Sequence, residues 1–134
     1  MHLKPDQLPE LLRSSQNVAI VGISDKPDRP SYGVAQYLIE NSHFTLFFVN
    51  PLLETVLGLP VYKSLAEIPV KIDIVDVFRR PSDCLAVLEE AIAIGAQSIW
   101  LQLGISVPEV AERGSVAGLS VVMDRCIKID YAAL

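Results

Sequence analysis

Six of the eleven basic residues fall in three pairs: Lys26 with Arg29, Arg79 with Arg80, and Arg125 with Lys128. Paired cations suit an anion that carries more than one charge, and phosphate is the usual case. The first pair stands among small residues that let a ligand come close, Gly22, Ser24, Ser31 and Gly33. Glycine has no Cβ, and serine offers a hydroxyl to an anion. Overall the chain carries a net charge of −5, so any positive surface is local. That balance argues against a general nucleic-acid binder, which needs a broad basic face. Charged residues also belong on loops for solubility alone. Concentration of the cations on one edge of a fold would favour a phosphorylated small molecule.

Other reactive residue types are sparse. Cys84 and Cys126 form no CxxC pair and no metal-ligand spacing with His2 or His43. Cys126 adjoins Arg125, where a cation can activate a thiol as a nucleophile or a disulfide partner. Without a nearby base, a small packing residue is the preferred reading. Cys84 falls in the first turn of an expected helix and reads the same way. His2 is terminal, and His43 sits between a helix end and a strand. Asp73 and Asp76 are separated so that they face opposite sides of a strand. Asp76 is expected to bond a neighbouring loop or basic group, and Asp124 to orient Arg125 or a ligand. Trp100 reads as core. Tyr32 either packs over a nucleotide or closes a turn.

Periodicity gives the elements that must position these residues. Residues 6–14 read as a short helix with Asp6 as N-cap, covering an edge. NVAIVG, 17–22, is a short apolar run ending in glycine, as expected of a strand buried on both faces. A polar loop leads to a helix at 33–42, with Val34, Leu38 and Ile39 toward the sheet. TLFFVN, 45–50, is the second strand and stops at Pro51. The connection 51–72 holds one short helix, opened by the capping-box pattern Ser64 to Glu67. The third strand, 72–78, runs into Arg79-Arg80-Pro81. Ser82 then caps a helix that buries Leu85, Leu88, Ala91 and Ile92 and ends at Gly95. The fourth strand is 98–103. Ser106 to Glu109 is a further capping box, opening a helix that ends between Gly114 and Gly118. The fifth strand is 119–123.

Five alternations of strand and helix predict one α/β domain over 1–134, with 1–16 as a helical cover and 17–128 as the core. The expected architecture is a three-layer Rossmann-like sandwich with a five-stranded, mainly parallel sheet. A flavodoxin-like strand order is the topological competitor. No signal peptide and no apolar run near ~20 residues is visible. With unpaired cysteines, this points to a soluble cytoplasmic protein.

Open α/β sheets bind ligands beyond the carboxyl ends of their strands. All three cation pairs come directly after strands, so all six fall at that edge. The dinucleotide fingerprint G-x-G-x-x-G is absent, since the next glycine after Gly22 is Gly33. An NAD site also wants a carboxylate after the second strand, where this chain has Asn50-Pro51. Classical NAD binding is disfavoured.

Gly22 with SDKPDRPSYG, then VNP at 49–51, DVFRR at 76–80, WLQLG at 100–104 and MDRC at 123–126 resemble the small stand-alone CoA-binding proteins. Those are similar in turn to the CoA-binding domain of the succinyl-CoA synthetase α-subunit. The resemblance runs from Asn17 to about Lys128. It implies a Rossmann-type domain holding the ADP part of coenzyme A at the strand ends. By position, Gly22, Ser24, Ser31 and Gly33 would cradle phosphate, and Lys26 and Arg29 would supply charge to the pyrophosphate or 3′-phosphate. Asn50 and Pro51 would border the adenosine part. Phe78, Arg79 and Arg80 would line the groove, Gln102 and Gly104 the pantetheine path, with Arg125 a further binding cation. The first loop is longer and more polar than the glycine-rich synthetase loop, and the glycine after Asn50-Pro51 comes only at Gly58. The synthetase's phospho-histidine belongs to a second domain outside the resemblance.

The resulting expectation is a binder of CoA or acyl-CoA without catalysis of its own, with neither nucleic acid nor membrane as partner. A protein partner or a homo-oligomer is compatible with it. The alternative is an acyl-CoA or other nucleotide-dependent enzyme using Cys126 or a partner's residues. A phosphoacceptor receiver is a third reading, disfavoured because IVGIS replaces the acids that would hold Mg²⁺.

Overall fold

The computed structural model describes residues 1–134. In chain order its elements are α1 (Leu8–Ser14), β1 (Asn17–Val21), α2 (Pro30–Asn41), β2 (Thr45–Val49), β3 (Thr55–Val56) and β4 (Leu59–Tyr62). They continue with β5 (Ile74–Val77), α3 (Pro81–Ala93), β6 (Ser98–Leu101), α4 (Pro108–Val116), β7 (Ser120–Val122) and α5 (Ile127–Ala132). The sheet has seven strands in the order β3-β4-β2-β1-β5-β6-β7, not the expected five. All neighbours are parallel except β3 and β4, which form an antiparallel hairpin.

That hairpin settles the topology. Without β4 the remaining order is that of flavodoxin. With β4 counted as the third parallel strand, it is the 3-2-1-4-5-6 order of the Rossmann fold. Two local features hide the hairpin in sequence. Its turn is Leu57-Gly58, both at positive φ (52° and 76°), where Asn-Gly or Asp-Gly is the common signal. Pro60 stands inside β4 and breaks the strand pattern.

Alternation along the central strands divides the core between two faces. Ala19, Val75, Val77, Ile99 and Leu101 pack against Leu88 of α3 and Val110 of α4. Val18, Ile20, Ile74 and Trp100 pack against Leu38 of α2, Leu12 of α1 and Ile127 of α5. Trp100 is core, as expected, and its Nε1 donates to Arg125 O at 2.7 Å, pinning the loop after β7. The N-terminus shields the last strand: Leu3 N donates to Val121 O, and Val121 N to Met1 O, each at 2.8 Å.

Helix starts differ from the serine-based expectation. Proline occupies the first helical positions of α2, α3 and α4, so their N-caps are Arg29, Arg80 and Val107. Proline's fixed φ and missing N–H suit that position. Ser82 therefore lies inside α3, and neither it nor Ser106 caps a helix. Ser64 precedes a short 3-10 turn without a side-chain cap, and Glu67 accepts from Lys63 N instead. Asp6 is inside a 3-10 turn, not at a cap. Ile39 and Leu85 face solvent, not the sheet. Gly95 ends α3 at φ 71°, as expected. No helix is long and apolar enough to cross a membrane.

Candidate functional site

The strand order reverses between β1 and β5, and the loops leaving those strands come together there. Gly22 sits at φ 89°, and a Cβ on it would lie 2.3 Å from Phe78 O. Only glycine allows that approach. Behind it, Asn50 Nδ2 donates to Ile23 O at 2.8 Å, and its Oδ1 accepts from Leu52 N at 2.8 Å. Asn50 thus ties the β1 loop to the turn after β2.

A cavity of about 610 Å³ opens at this crossing, beyond the carboxyl ends of the strands. From the loop after β1 and the start of α2 come Gly22, Ser24, Lys26, Arg29 and Ser31. From the loop after β5 come Phe78, Arg79 and Arg80, and from the end of β6 comes Gln102. These nine residues are brought to one cavity. Gly33, Asn50, Pro51, Gly104 and Arg125 lie outside its walls. Gly33 is inside α2, where a Cβ would meet open space. Gly104 N donates to Asp124 Oδ1 at 2.6 Å, so Asp124 fixes that turn and does not orient Arg125.

Arg125 makes a two-point pair with Asp130, at 2.8 and 2.7 Å. Lys128 stands 5.4 Å over the Tyr37 ring. Four of the six cations therefore reach the cavity, and the third pair does not. Of the four, Arg79 and Arg80 share Asp83, each at 3.3 Å. The Arg80 hydrogen bond, then the charges of both arginines, hold the Asp83 carboxyl below the usual carboxylate range. Lys26 and Arg29 have no carboxylate partner. The serines organise their own loop: Ser31 Oγ accepts from Ser24 N at 3.0 Å, and Ser24 Oγ from Lys26 N at 3.1 Å. Both hydroxyl hydrogens remain available to donate.

Pro30, Val34, Pro81, Leu103, Ile105 and Cys126 also line the cavity, beyond the residues expected there. The two prolines carry a sequence signal, since each directly follows a cation and starts a helix. Leu103 and Ile105 flank Gly104 and look like ordinary strand-end residues. Tyr32 packs against the α2-side core and does not line the cavity.

Cys84 is fully buried and its thiol donates to Arg80 O at 3.4 Å. Burial, then the Asp83 charge, push that thiol up, opposite to activation. His43 lies at the far end of the sheet, bonded to Tyr131 Oη at 2.9 Å and Ser15 O at 2.7 Å. Asp73, at the same end, accepts from Gln16 N and Asn17 N. Asp76 departs from expectation: it is fully buried, and neither carboxyl oxygen has a partner. It sits in register with Ile20 and Trp100, two residues along the strands before Gly22, Phe78 and Gln102. Burial alone raises its pKa well above the ordinary carboxyl value.

Strand order, switch-point cavity and clustered cations are the arrangement of a Rossmann-type binding domain. The sequence matches the CoA binding domain family over residues 16–132, and the chain belongs to that family. It is 36% identical over 126 residues to the uncharacterized protein YneT of Bacillus subtilis (strain 168), covering 94% of this chain and 93% of that one. A hypothetical protein from Pyrococcus horikoshii OT3 has a TM-score of 0.91 at 34% identity, covering 98% of this chain and 92% of that one. The dinucleotide-forming acetyl-coenzyme A synthetase 1 of Ca. Korarchaeum cryptofilum, a complex with phosphate and ADP, shares the fold. Its TM-score is 0.74 at 18% identity, over 88% of this chain and 27% of that one. Family membership supports coenzyme A as the ligand.

Proposed function

We propose that this protein binds coenzyme A in the switch-point cavity, with the ADP part and its phosphates over the loops after β1 and β5. The observation that carries this is the meeting of four cations, two from each loop, around one cavity in a chain of net charge −5. Lys26 and Arg29 face the phosphates first, because no carboxylate competes for them. Arg79 and Arg80 are held at the rim by Asp83 and turn to the ligand as its charge replaces that partner. Ser24 and Ser31 add hydroxyl donors, and Asn50 with Pro51 borders the adenosine side through the β1 loop.

On this reading the protein is a binder, and the groups a catalyst would need are not gathered at the cavity. His2 and His43 lie away from the cavity, and Cys126 has no histidine beside it among the cavity residues.

Calorimetric titration with CoA, dephospho-CoA and NAD tests the reading. CoA is expected to bind tightest. Arg29→Ala and Arg80→Ala should each weaken it by about 10- to 100-fold, the range of a charge-assisted hydrogen bond. The salt dependence of binding should fall with each cation removed. Heat with NAD but not with CoA would overturn the assignment.

A further inference from the structure

The strand order makes the two sides of the cavity unlike. Its cations all come from the loops after β1 and β5. The β6 and β7 side contributes Gln102, Leu103, Ile105 and Cys126, and no charge. Gln102 is only 4% exposed, yet its amide is half used. Its Oε1 accepts from Ile127 N at 3.1 Å, which fixes the direction of the amide. The Nε2 group is left as a donor without a protein acceptor, on a residue that lines the cavity. That donor is open to the cavity, where an acceptor on a ligand can replace water. Beside it, Leu103 is 65% exposed, and Ile105 and Val34 continue the apolar wall.

We infer that the β6–β7 side of the cavity receives the acyl group of an acyl-CoA, with Gln102 Nε2 donating to the thioester carbonyl and Leu103 and Ile105 covering the chain beyond it. This rests on CoA occupying the cavity in the proposed way. A single donor followed by apolar surface matches one carbonyl followed by hydrocarbon. The pantetheine arm matches it less well, because each of its two amides needs an acceptor as well as a donor. The thiol of free CoA offers Nε2 only a weak acceptor and leaves Leu103 in water. Gln102 is in these terms a specificity residue, and the ligand class is a thioester with a short aliphatic acyl group.

The test compares acetyl-CoA and butyryl-CoA with their thioether analogues S-ethyl-CoA and S-butyl-CoA, which lack only the carbonyl oxygen. CoA is the reference. The wild-type protein should bind each thioester about fivefold tighter than its thioether, the worth of one ordinary hydrogen bond. Butyryl-CoA should bind tighter than acetyl-CoA, by up to about fourfold for each further methylene buried. Gln102→Glu keeps an acceptor for Ile127 N and removes the donor, so the thioester-to-thioether ratio should fall to about one. That ratio cancels any repulsion the new charge exerts on the phosphates. Leu103→Ser, at an exposed position, should remove the chain-length preference. Equal binding of thioester and thioether by the wild type, or a ratio that survives Gln102→Glu, would overturn the inference. If CoA binds without any acyl preference, only this inference fails. If neither CoA nor any analogue binds, the CoA reading fails with it.

Discussion

Gly22→Ala is expected to destabilise the protein by at least about 2 kcal/mol and to abolish binding in the cavity. Two independent effects act in the same direction. The residue has φ 89°, where an L side chain is strained. Its Cβ would also stand 2.3 Å from the Phe78 carbonyl oxygen, which is backbone and cannot swing aside. Relief requires the loops after β1 and β5 to part, and those loops carry all four cavity cations. Urea denaturation should therefore show a lower midpoint, and calorimetry should show no CoA heat even where the variant is folded. Gly33→Ala is the control. Its Cβ would meet open space inside α2, so it should raise stability by about 0.5–1 kcal/mol, as alanine does in a helix. Equal behaviour of the two variants would contradict the close approach at the crossing.

Asp76→Asn is expected to stabilise the protein at neutral pH, by an amount that disappears in acid. The folded-state pKa of Asp76 is raised above the unfolded value near 3.8. Between those two values the native state keeps a proton that the unfolded chain releases. With respect to this group, stability is fully present below pH ~4 and is lost as pH rises toward the folded pKa, by up to about 1.4 kcal/mol per pH unit. Asparagine has nearly the same shape and does not titrate. The variant's advantage over the wild type should therefore widen steadily as pH rises from 4 toward the folded-state value. Denaturation midpoints of both proteins from pH 4 to pH 8 check this. Parallel curves would mean that Asp76 has a partner in solution. A buried carboxyl without a partner, two residues before the cavity-lining Phe78, is itself a sign that the region is not shaped for stability alone.

The edge that carries the cavity is legible in the sequence because it depends on few things. Apolar runs such as NVAIV and IDIVDVF mark parallel strands, and the loop after each such strand falls at one edge. Lys26, Arg29, Arg79 and Arg80 can be placed there without any geometry. Arg125 and Lys128 are placed there by the same logic, and the structure turns them away. Their partners, Asp130 and Tyr37, come from α5 and α2, and pairings of this kind leave no pattern that a sequence reading can use. The α5 helix itself is hidden because IKIDY alternates apolar and polar residues, the period of a strand. Serine capping patterns misplace the helix starts because a proline at the first helical position fixes the entry φ regardless of nearby hydroxyls. Leu57-Gly58 and Pro60 conceal the β3–β4 hairpin, and with it the strand that makes the order Rossmann. Asp76 reads as a loop partner because two arginines lie a few residues on. Only packing shows that Arg79 and Arg80 turn to Asp83 instead.

The most direct measurement is the change in backbone amide NMR shifts as CoA is added to the labelled protein. The changes are expected to fall on Gly22–Gly33, Phe78–Asp83, Gln102–Ile105 and Cys126, all at the carboxyl ends of the strands. Gln16, His43 and Asp73, at the opposite end, should stay where they are. Shifts confined to that opposite end, or to the shallow groove on the outer side of α3 and α4 where Arg113 pairs with Glu89 at 3.0 Å, would contradict the placement of the ligand.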